Sequence, residues 1–238
     1  TNGMYNSVNL NKRAITLDMS SEEGRTLFWR LLPGFDVVCE NFSPKVMGNW
    51  GITLETLQAR RPDIIFASLS GYGQDGPLSR YPANGNTIEP MSGLSSLNGY
   101  TGDAGKNTAG LVPDPISGYY FAGAILAAIA HRQRTGEGQR IDLSMMESVA
   151  VQLGISVLAS SLTGEPAVPA GNRHPRLAPH SCYPAAQDTW VAIAVEDEAQ
   201  WRALATVLDI DDPCFTTMSA RKENEVALDA AISAWTAT

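Results

Sequence analysis

Asp63-Ile64-Ile65-Phe66-Ala67-Ser68-Leu69, running directly into Ser70-Gly71-Tyr72-Gly73, is the stretch on which the fold turns. It is apolar and β-branched without alternation, the pattern of a strand buried on both faces, as parallel strands are. Upstream, Asp36-Val37-Val38-Cys39-Glu40 has the same character, and Ala14-Ile15-Thr16-Leu17-Asp18 reads as a further short strand. Helical pieces lie between them. Ser20 or Ser21 caps a helix with Glu22 and Glu23 in its first turn, Leu27, Phe28, Leu31 and Leu32 at helical spacing, and Gly34 past its end. Lys45 to Trp50 and Leu54 to Arg61 give two shorter helices. Strand, helix, strand, helix, strand within about seventy residues implies βαβ units with right-handed crossovers, hence a doubly wound α/β fold with a parallel sheet. Ligands of such sheets sit outside the carboxyl ends of the strands. Asn41-Phe42-Ser43 and Ser70-Gly71-Tyr72-Gly73 lie at those ends.

Further along, Gly71-Tyr72-Gly73-Gln74-Asp75-Gly76 has the GxGxxG spacing, but Pro77 and a Pro/Asn/Gly-rich stretch follow where a dinucleotide site needs a helix. A plain glycine loop is the reading. Residues 77 to 113 are loop-rich, with a helical segment from Thr87 to Leu97. Ile116 to Arg132 is the strongest helix; its run of small apolar residues, Ala122 to Ala130, predicts a helix packed closely on all sides and ended by Gly136 and Gly138. Arg140 to Ser144 reads as a strand and Met145 to Leu162 as a helix. The chain then changes character: 163–186 is rich in Pro, Gly and Ala and reads as a linker. After it come a strand at Trp190–Val195 and a helix at Glu198–Leu208, with Trp201, Leu204 and Leu208 on one face. The expected division is a large domain over 1–162, the linker, and the start of a smaller α/β domain over 187–238. Both chain ends fall in mid-pattern, so the sequence reads as an internal part of a longer protein.

Composition narrows the function. A net charge of −8 lacks the basic face of a nucleic-acid binder. Cys39, Cys182 and Cys214 are odd in number and widely spaced, which fits a reducing cytoplasm better than a disulfide framework or zinc site. There is no signal peptide and no uninterrupted apolar run of membrane-spanning length, so no membrane association is expected, and the sequon Asn41-Phe42-Ser43 carries little weight. His131 sits near a helix C-terminus, and His174, His180 and Cys182 fit no common zinc spacing. GxSxG, HExxH and Walker patterns are absent.

What remains is Asp114, between Pro113 and Pro115 at the mouth of the long helix. Its bland explanation is an N-cap followed by a first-turn proline. Its chemical one is a nucleophile: a carboxylate is ionised at neutral pH without a base, and a helix N-terminus favours that charge. Its natural target is an activated acyl group such as a thioester. Local spacing alone fits both.

The chain resembles the class III CoA-transferases, the family of formyl-CoA transferase and carnitine CoA-transferase, with α-methylacyl-CoA racemase as a relative. The likeness runs through Asn11-Lys12-Arg13, Glu40-Asn41-Phe42-Ser43-Pro44, Ser70-Gly71-Tyr72-Gly73-Gln74-Asp75-Gly76-Pro77, Met91-Ser92-Gly93-Leu94, Pro113-Asp114-Pro115, Arg134-Thr135-Gly136-Glu137-Gly138-Gln139 and Gly171-Asn172-Arg173-His174-Pro175. It implies a Rossmann-like large domain and a catalytic role for Asp114, which would attack an acyl-CoA and pass through an aspartyl-CoA thioester. It implies that Leu17, Asp18, Asn41, Phe42 and Ser43 line the coenzyme A site, and that the substrate loop carries Asn84, Gly85 and Glu89. For Glu89 a solvated helix face is the alternative. The resemblance further implies acyl-CoA and a small carboxylic acid as substrates, no tightly bound cofactor or metal, and an interlocked homodimer. Asn84 stands where the racemase has an acid/base histidine, and Asn49 and Ser20 replace basic residues of some members. CoA transfer is therefore the leading expectation. A racemase or epimerase, and an inactive CoA-binding paralogue, are the alternatives.

Overall fold

The structure is a computed structural model that describes residues 3–238. Its elements in chain order are α1 (Gly3–Val8), α2 (Glu22–Leu31), β1 (Val37–Glu40), α3 (Val46–Asn49), α4 (Leu54–Gln58), β2 (Ile65–Ser70), α5 (Gly85–Ser92), α6 (Leu94–Leu97) and α7 (Pro113–Thr135). They continue with β3 (Arg140–Ser144), α8 (Met145–Ala150), α9 (Gly154–Thr163), β4 (His180–Ala185), β5 (Thr189–Ala194), α10 (Glu198–Leu208), α11 (Met218–Glu223) and α12 (Glu225–Thr236).

The first compact unit comprises the described residues up to Gly93 together with Ala109–Gly154. Its sheet is parallel throughout, in the order β1-β2-β3, with Val37 opposite Ile65 and Ser70 opposite Ser144. The stretch quoted at the outset is thus the central strand, and Ile65 and Ala67 are completely buried. Phe66 joins Leu32, Met47, Ile52, Leu57 and Ile64 in a core packed by Phe28, Trp29 and Trp50. Capping follows the sequence: Ser21 Oγ accepts from Gly24 N at 3.0 Å at the start of α2, and Thr53 and Thr56 form a capping box on α4.

Several expectations are corrected. Ala14–Asp18 is irregular, and Ile15 is 70% exposed; no described strand lies beside it to take its backbone hydrogen bonds. The segment Thr87–Leu97 is two helices, because Gly93 takes the left-handed conformation (φ 89°) and closes α5. The long helix starts earlier than its apolar pattern, at Pro113, and it is not buried all round: Tyr119 is 82% and Leu126 66% exposed. Met145–Thr163 is long and apolar enough, by length and composition, to cross a membrane, although Glu147 and Gln152 break its apolar sequence. A 3-10 turn at Val151–Leu153 interrupts the run; Ser148 and Val149 before it are buried, whereas Val151, Ile155, Leu158 and Leu162 are exposed.

The second unit comprises Leu94–Thr108 and Ile155–Thr238, so part of the 77–113 loop belongs with it. Antiparallel β4 and β5 pair His180 with Ala194 and Ala185 with Thr189, and β4 lies within the stretch that reads as a linker. Tyr183, Val195, Trp201, Leu208, Phe215, Leu228 and Ile232 form its core. Asp197 caps α10 by accepting from Ala199 N and Gln200 N.

Candidate functional site

Three strand ends and two helix starts build one cleft in the first unit. At the end of β1, buried Glu40 accepts from Phe42 N at 2.7 Å, which turns Asn41-Phe42-Ser43 out of the sheet; the Phe42 ring meets Trp50 edge to face at 5.4 Å. Beyond β2 the glycine loop is tied to β3: Asp142 accepts from Gln74 N, and Gly71 O accepts from Met146 N at 3.0 Å. No helix follows Gly76, which leaves the GxGxxG spacing a plain loop. Two glycines then let the chain close. A Cβ on Gly71 would stand 2.2 Å from Ala83 Cβ, and one on Gly85 would stand 2.2 Å from Asp114 Oδ2. Neither position has room for any other residue without movement.

The resulting cleft has a volume of about 300 Å³ and is lined by Asn41, Phe42, Ser43, Ser70, Asn84 and Asp114, among others. It thus gathers Asp114, three of the residues expected to line the coenzyme A site and one from the substrate loop. Gly85 adjoins it through its contact with Asp114. The cleft lies outside the carboxyl ends of the parallel strands, where the topology places ligands.

Asp114 is not a cap. The cap position of α7 is Val112, no side chain caps the helix, and Asp114 lies inside its first turn, its N–H donating to Leu111 O at 3.0 Å. Buried Ser117 donates to Pro113 O at 2.7 Å and fixes that turn. The chain reaches it through Ala109 (φ 60°) and Leu111 (φ 50°), both in the left-handed region that non-glycine residues rarely adopt. The residue is exposed overall, but its carboxyl end is partly withdrawn from water, and this desolvation raises its pKa above the usual aspartate value. Burial therefore opposes the helix-end charge expected to favour the carboxylate.

The other expected residues divide. Asn84 caps α5 by accepting from Thr87 N, so its amide oxygen is occupied at the rim of the cleft. Glu89 is completely buried on α5, which removes the solvated-face alternative; it does not line the cleft. Leu17 and Asp18 also lie outside the cleft lining. Asp18 accepts from the Ser20 hydroxyl at 2.6 Å, which lowers its pKa, and its carbonyl accepts from Ser21 N, so it organises the start of α2. Ser70, from the strand-end stretch expected to face a ligand, lines the cleft, as do Ser79, Tyr81 and Met145, to which no sequence signal points. For Ser70 the available signal was its place as the last residue of the quoted strand.

Among the described residues no group of three His, Cys, Asp or Glu side chains is arranged to hold a metal. A larger concavity, about 680 Å³, lies in the second unit along α10 and Asp209–Asp212. It borders Glu198, Asp209, Asp211 and Asp212 but no strand-end loop, and its first-turn carboxylate, Glu198, is taken up by Arg221, so size does not decide the site.

Residues 1–238 match the sequence profile of CoA-transferase family III. The chain belongs to that family. Relatives in the family include a succinyl-CoA–D-citramalate CoA-transferase of Chloroflexus aurantiacus, 33% identical over 95% of this chain and 57% of the relative. An acetyl-CoA:oxalate CoA-transferase of Acetobacter aceti is 34% identical over 96% of this chain and 60% of its own length. Among solved structures, a CAIB/BAIF family protein from Brucella suis superposes with a TM-score of 0.87 at 33% identity, covering 94% of this chain and 60% of that one. The chain therefore spans about three-fifths of the length of these family members.

Proposed function

We propose that the full-length protein transfers coenzyme A between an acyl-CoA thioester and a free carboxylic acid, with Asp114 as the nucleophile. The observation that carries this reading is that Asp114 faces the strand-end cleft while capping nothing. Structural reasons for an aspartate in the first turn of α7 are thereby reduced to its favourable helix-end charge, and burial works against even that. The names of the relatives, which pair acyl-CoA donors with small acids, support the same chemistry.

In the proposed sequence an Asp114 oxygen attacks the thioester carbonyl carbon, and coenzyme A leaves as the thiolate. This gives a mixed anhydride. The thiolate then attacks the aspartyl carbonyl, releasing the donor acid and leaving an aspartyl-CoA thioester. The acceptor carboxylate attacks that thioester, and the thiolate returns to the acceptor's acyl carbon, which regenerates Asp114. Coenzyme A is substrate throughout, so no resident cofactor enters the scheme. Asn41, Phe42 and Ser43 are proposed to hold the coenzyme A arm and Asn84 and Gly85 to border the acyl group. The racemase alternative needs two proton carriers across an α-carbon, and the Asn84 amide is not one. A homodimer is proposed to cover the bare apolar side chains of α7, Tyr119 and Leu126 among them, and the three free cysteines fit a cytoplasmic setting.

The test uses full-length protein with a panel of acyl-CoA donors that includes succinyl-CoA and acetyl-CoA, and a panel of carboxylic acids. Hydroxylamine added during turnover is expected to leave a hydroxamate on the tryptic peptide 107–132, at Asp114. An active enzyme whose peptide stays unmodified overturns the reading. Solvent deuterium entering the acyl group without CoA transfer would favour the racemase.

A further inference from the structure

We propose that Ser70 is a second catalytic residue, whose hydroxyl donates a hydrogen bond to the acyl oxygen of the thioester under attack. The proposal rests on the reading of Asp114 as nucleophile. Ser70 is the last residue of β2 and only 6% exposed, and it lines the cleft that holds Asp114. Its Oγ is buried and has no hydrogen-bond partner. The neighbouring serines are used differently. Ser117 Oγ donates to Pro113 O, Ser148 Oγ donates to Ser144 O, and Ser144 Oγ accepts from Glu147 N.

Glu225 Oε1 in the second unit is the other fully buried polar atom without a partner among the described residues. The second oxygen of that carboxylate is held by Lys222 at 2.8 Å and lies 3.7 Å from Arg173, so its charge is compensated. Ser70 has no such compensation. A hydroxyl buried without a partner costs about 1–3 kcal/mol. Alanine would pack the end of a buried strand without that cost, and such a group in the wall of a site is explained by a ligand that completes it. A serine hydroxyl changes direction by one staggered step of χ1, so an acyl group in the cleft can draw the donor to itself.

The chemistry requires such a donor. When an Asp114 oxygen adds to the carbonyl carbon, the C=O π pair moves onto the carbonyl oxygen; it returns as the C–S bond breaks and the thiolate leaves. Ser70 keeps its proton throughout. Its hydrogen bond strengthens as the oxygen gains charge, which lowers the barrier rather than tightening ground-state binding.

The experiment compares full-length wild type, Ser70→Ala and Asp114→Asn, using the best donor from the panel above. Ser70→Ala is expected to melt at or above the wild-type temperature without ligand, because no partner loses a bond. Acyl-enzyme formation is expected to slow by about a hundredfold, with KM for the acyl-CoA changed less than about threefold. An unchanged acylation rate overturns the proposal. So does a lowered melting temperature, which would show a structural hydrogen bond. If wild type turns over without acylating Asp114, the nucleophile reading fails and takes this inference with it. If wild type and Ser70→Ala acylate Asp114 equally fast, the Ser70 inference alone fails.

Discussion

The Arg221 cluster of the second unit and the Asp114 cleft of the first treat their polar groups in opposite ways. In the second unit, Arg221 is completely buried and fully employed: Nε donates to Ala178 O at 2.8 Å, Nη1 to Glu198 Oε2 at 3.0 Å and to Phe215 O at 3.1 Å, and the guanidinium lies 4.8 Å from the Trp201 ring centre. Nearby, Tyr183 donates to Asp229 at 2.8 Å, and burial next to that carboxylate raises the phenol's pKa. In the first unit the Asp114 cleft has a carboxyl raised by burial, a hydroxyl without a partner and a glycine pressed against the carboxyl oxygen. One arrangement spends its polar groups on holding the chain together; the other leaves them available to a ligand. Satisfied networks stabilise, whereas functional sites retain local cost.

The sharpest way to break the comparison is Arg221→Met. Removing the guanidinium strands the Ala178 and Phe215 carbonyls and breaks both hydrogen bonds to the Glu198 carboxylate. Urea unfolding of the second unit is expected to show a loss of about 3 kcal/mol or more. A loss below about 1 kcal/mol would make Arg221 no more structural than a surface pair.

Gly85→Ala comes next. Alanine is intrinsically the better helix residue, yet its Cβ has no space beside Asp114 Oδ2. The substitution is expected to cost about 1–3 kcal/mol with Asp114 present. In an Asp114→Ala background the cost should shrink to what Leu111, 3.1 Å from the same Cβ position, imposes. A double-mutant cycle by thermal denaturation measures that coupling. Equal costs in both backgrounds would mean that the carboxyl group is not what fills the space.

The smallest expected effects concern pH, and they have opposite signs in the two units. Glu198 has its pKa lowered, first by its hydrogen bond from Arg221, so its stabilising contribution is present above the unfolded value of 4.5 and is lost as pH falls through the folded one. Asp114 has its pKa raised, so its ionised form is disfavoured in the folded protein at neutral pH, and that penalty disappears as pH falls below its unfolded value of 3.8. Glu198→Gln should therefore lower the melting temperature at pH 7 and converge on wild type in acid. Asp114→Asn should raise it slightly at pH 7 and likewise converge in acid. Matching signs for the two variants at pH 7 would erase the contrast.

Much of the architecture was legible because it rests on local chemistry. Ser21 caps the helix expected of it, α10 spans the expected Glu198–Leu208, Gly136 (φ 79°) ends α7, and the apolar runs at 37–40 and 65–70 become paired parallel strands. Ala14–Asp18 misled because β-branching describes a residue's preference, while a strand exists only beside a partner. Glu89 was open between the substrate loop and a solvated helix face because burial depends on neighbours the local pattern does not show; its complete burial removes the second. Chain order and motif spacing together pointed to Asp114 and the strand-end loops. They left cap and nucleophile indistinguishable, since both belong in the same turn.

Sequence by itself therefore determined the residue types, the parallel strands at 37–40, 65–70 and 140–144 with most of the helices between them, and the resemblance to the family. Tertiary structure decided which carboxylate is left uncapped, which glycine makes room for it and which serine hydroxyl is buried beside the cleft without a partner. The room beside Asp114 depends on its close approach to Gly85, which starts a different helix and which only the folded chain brings within a few ångströms.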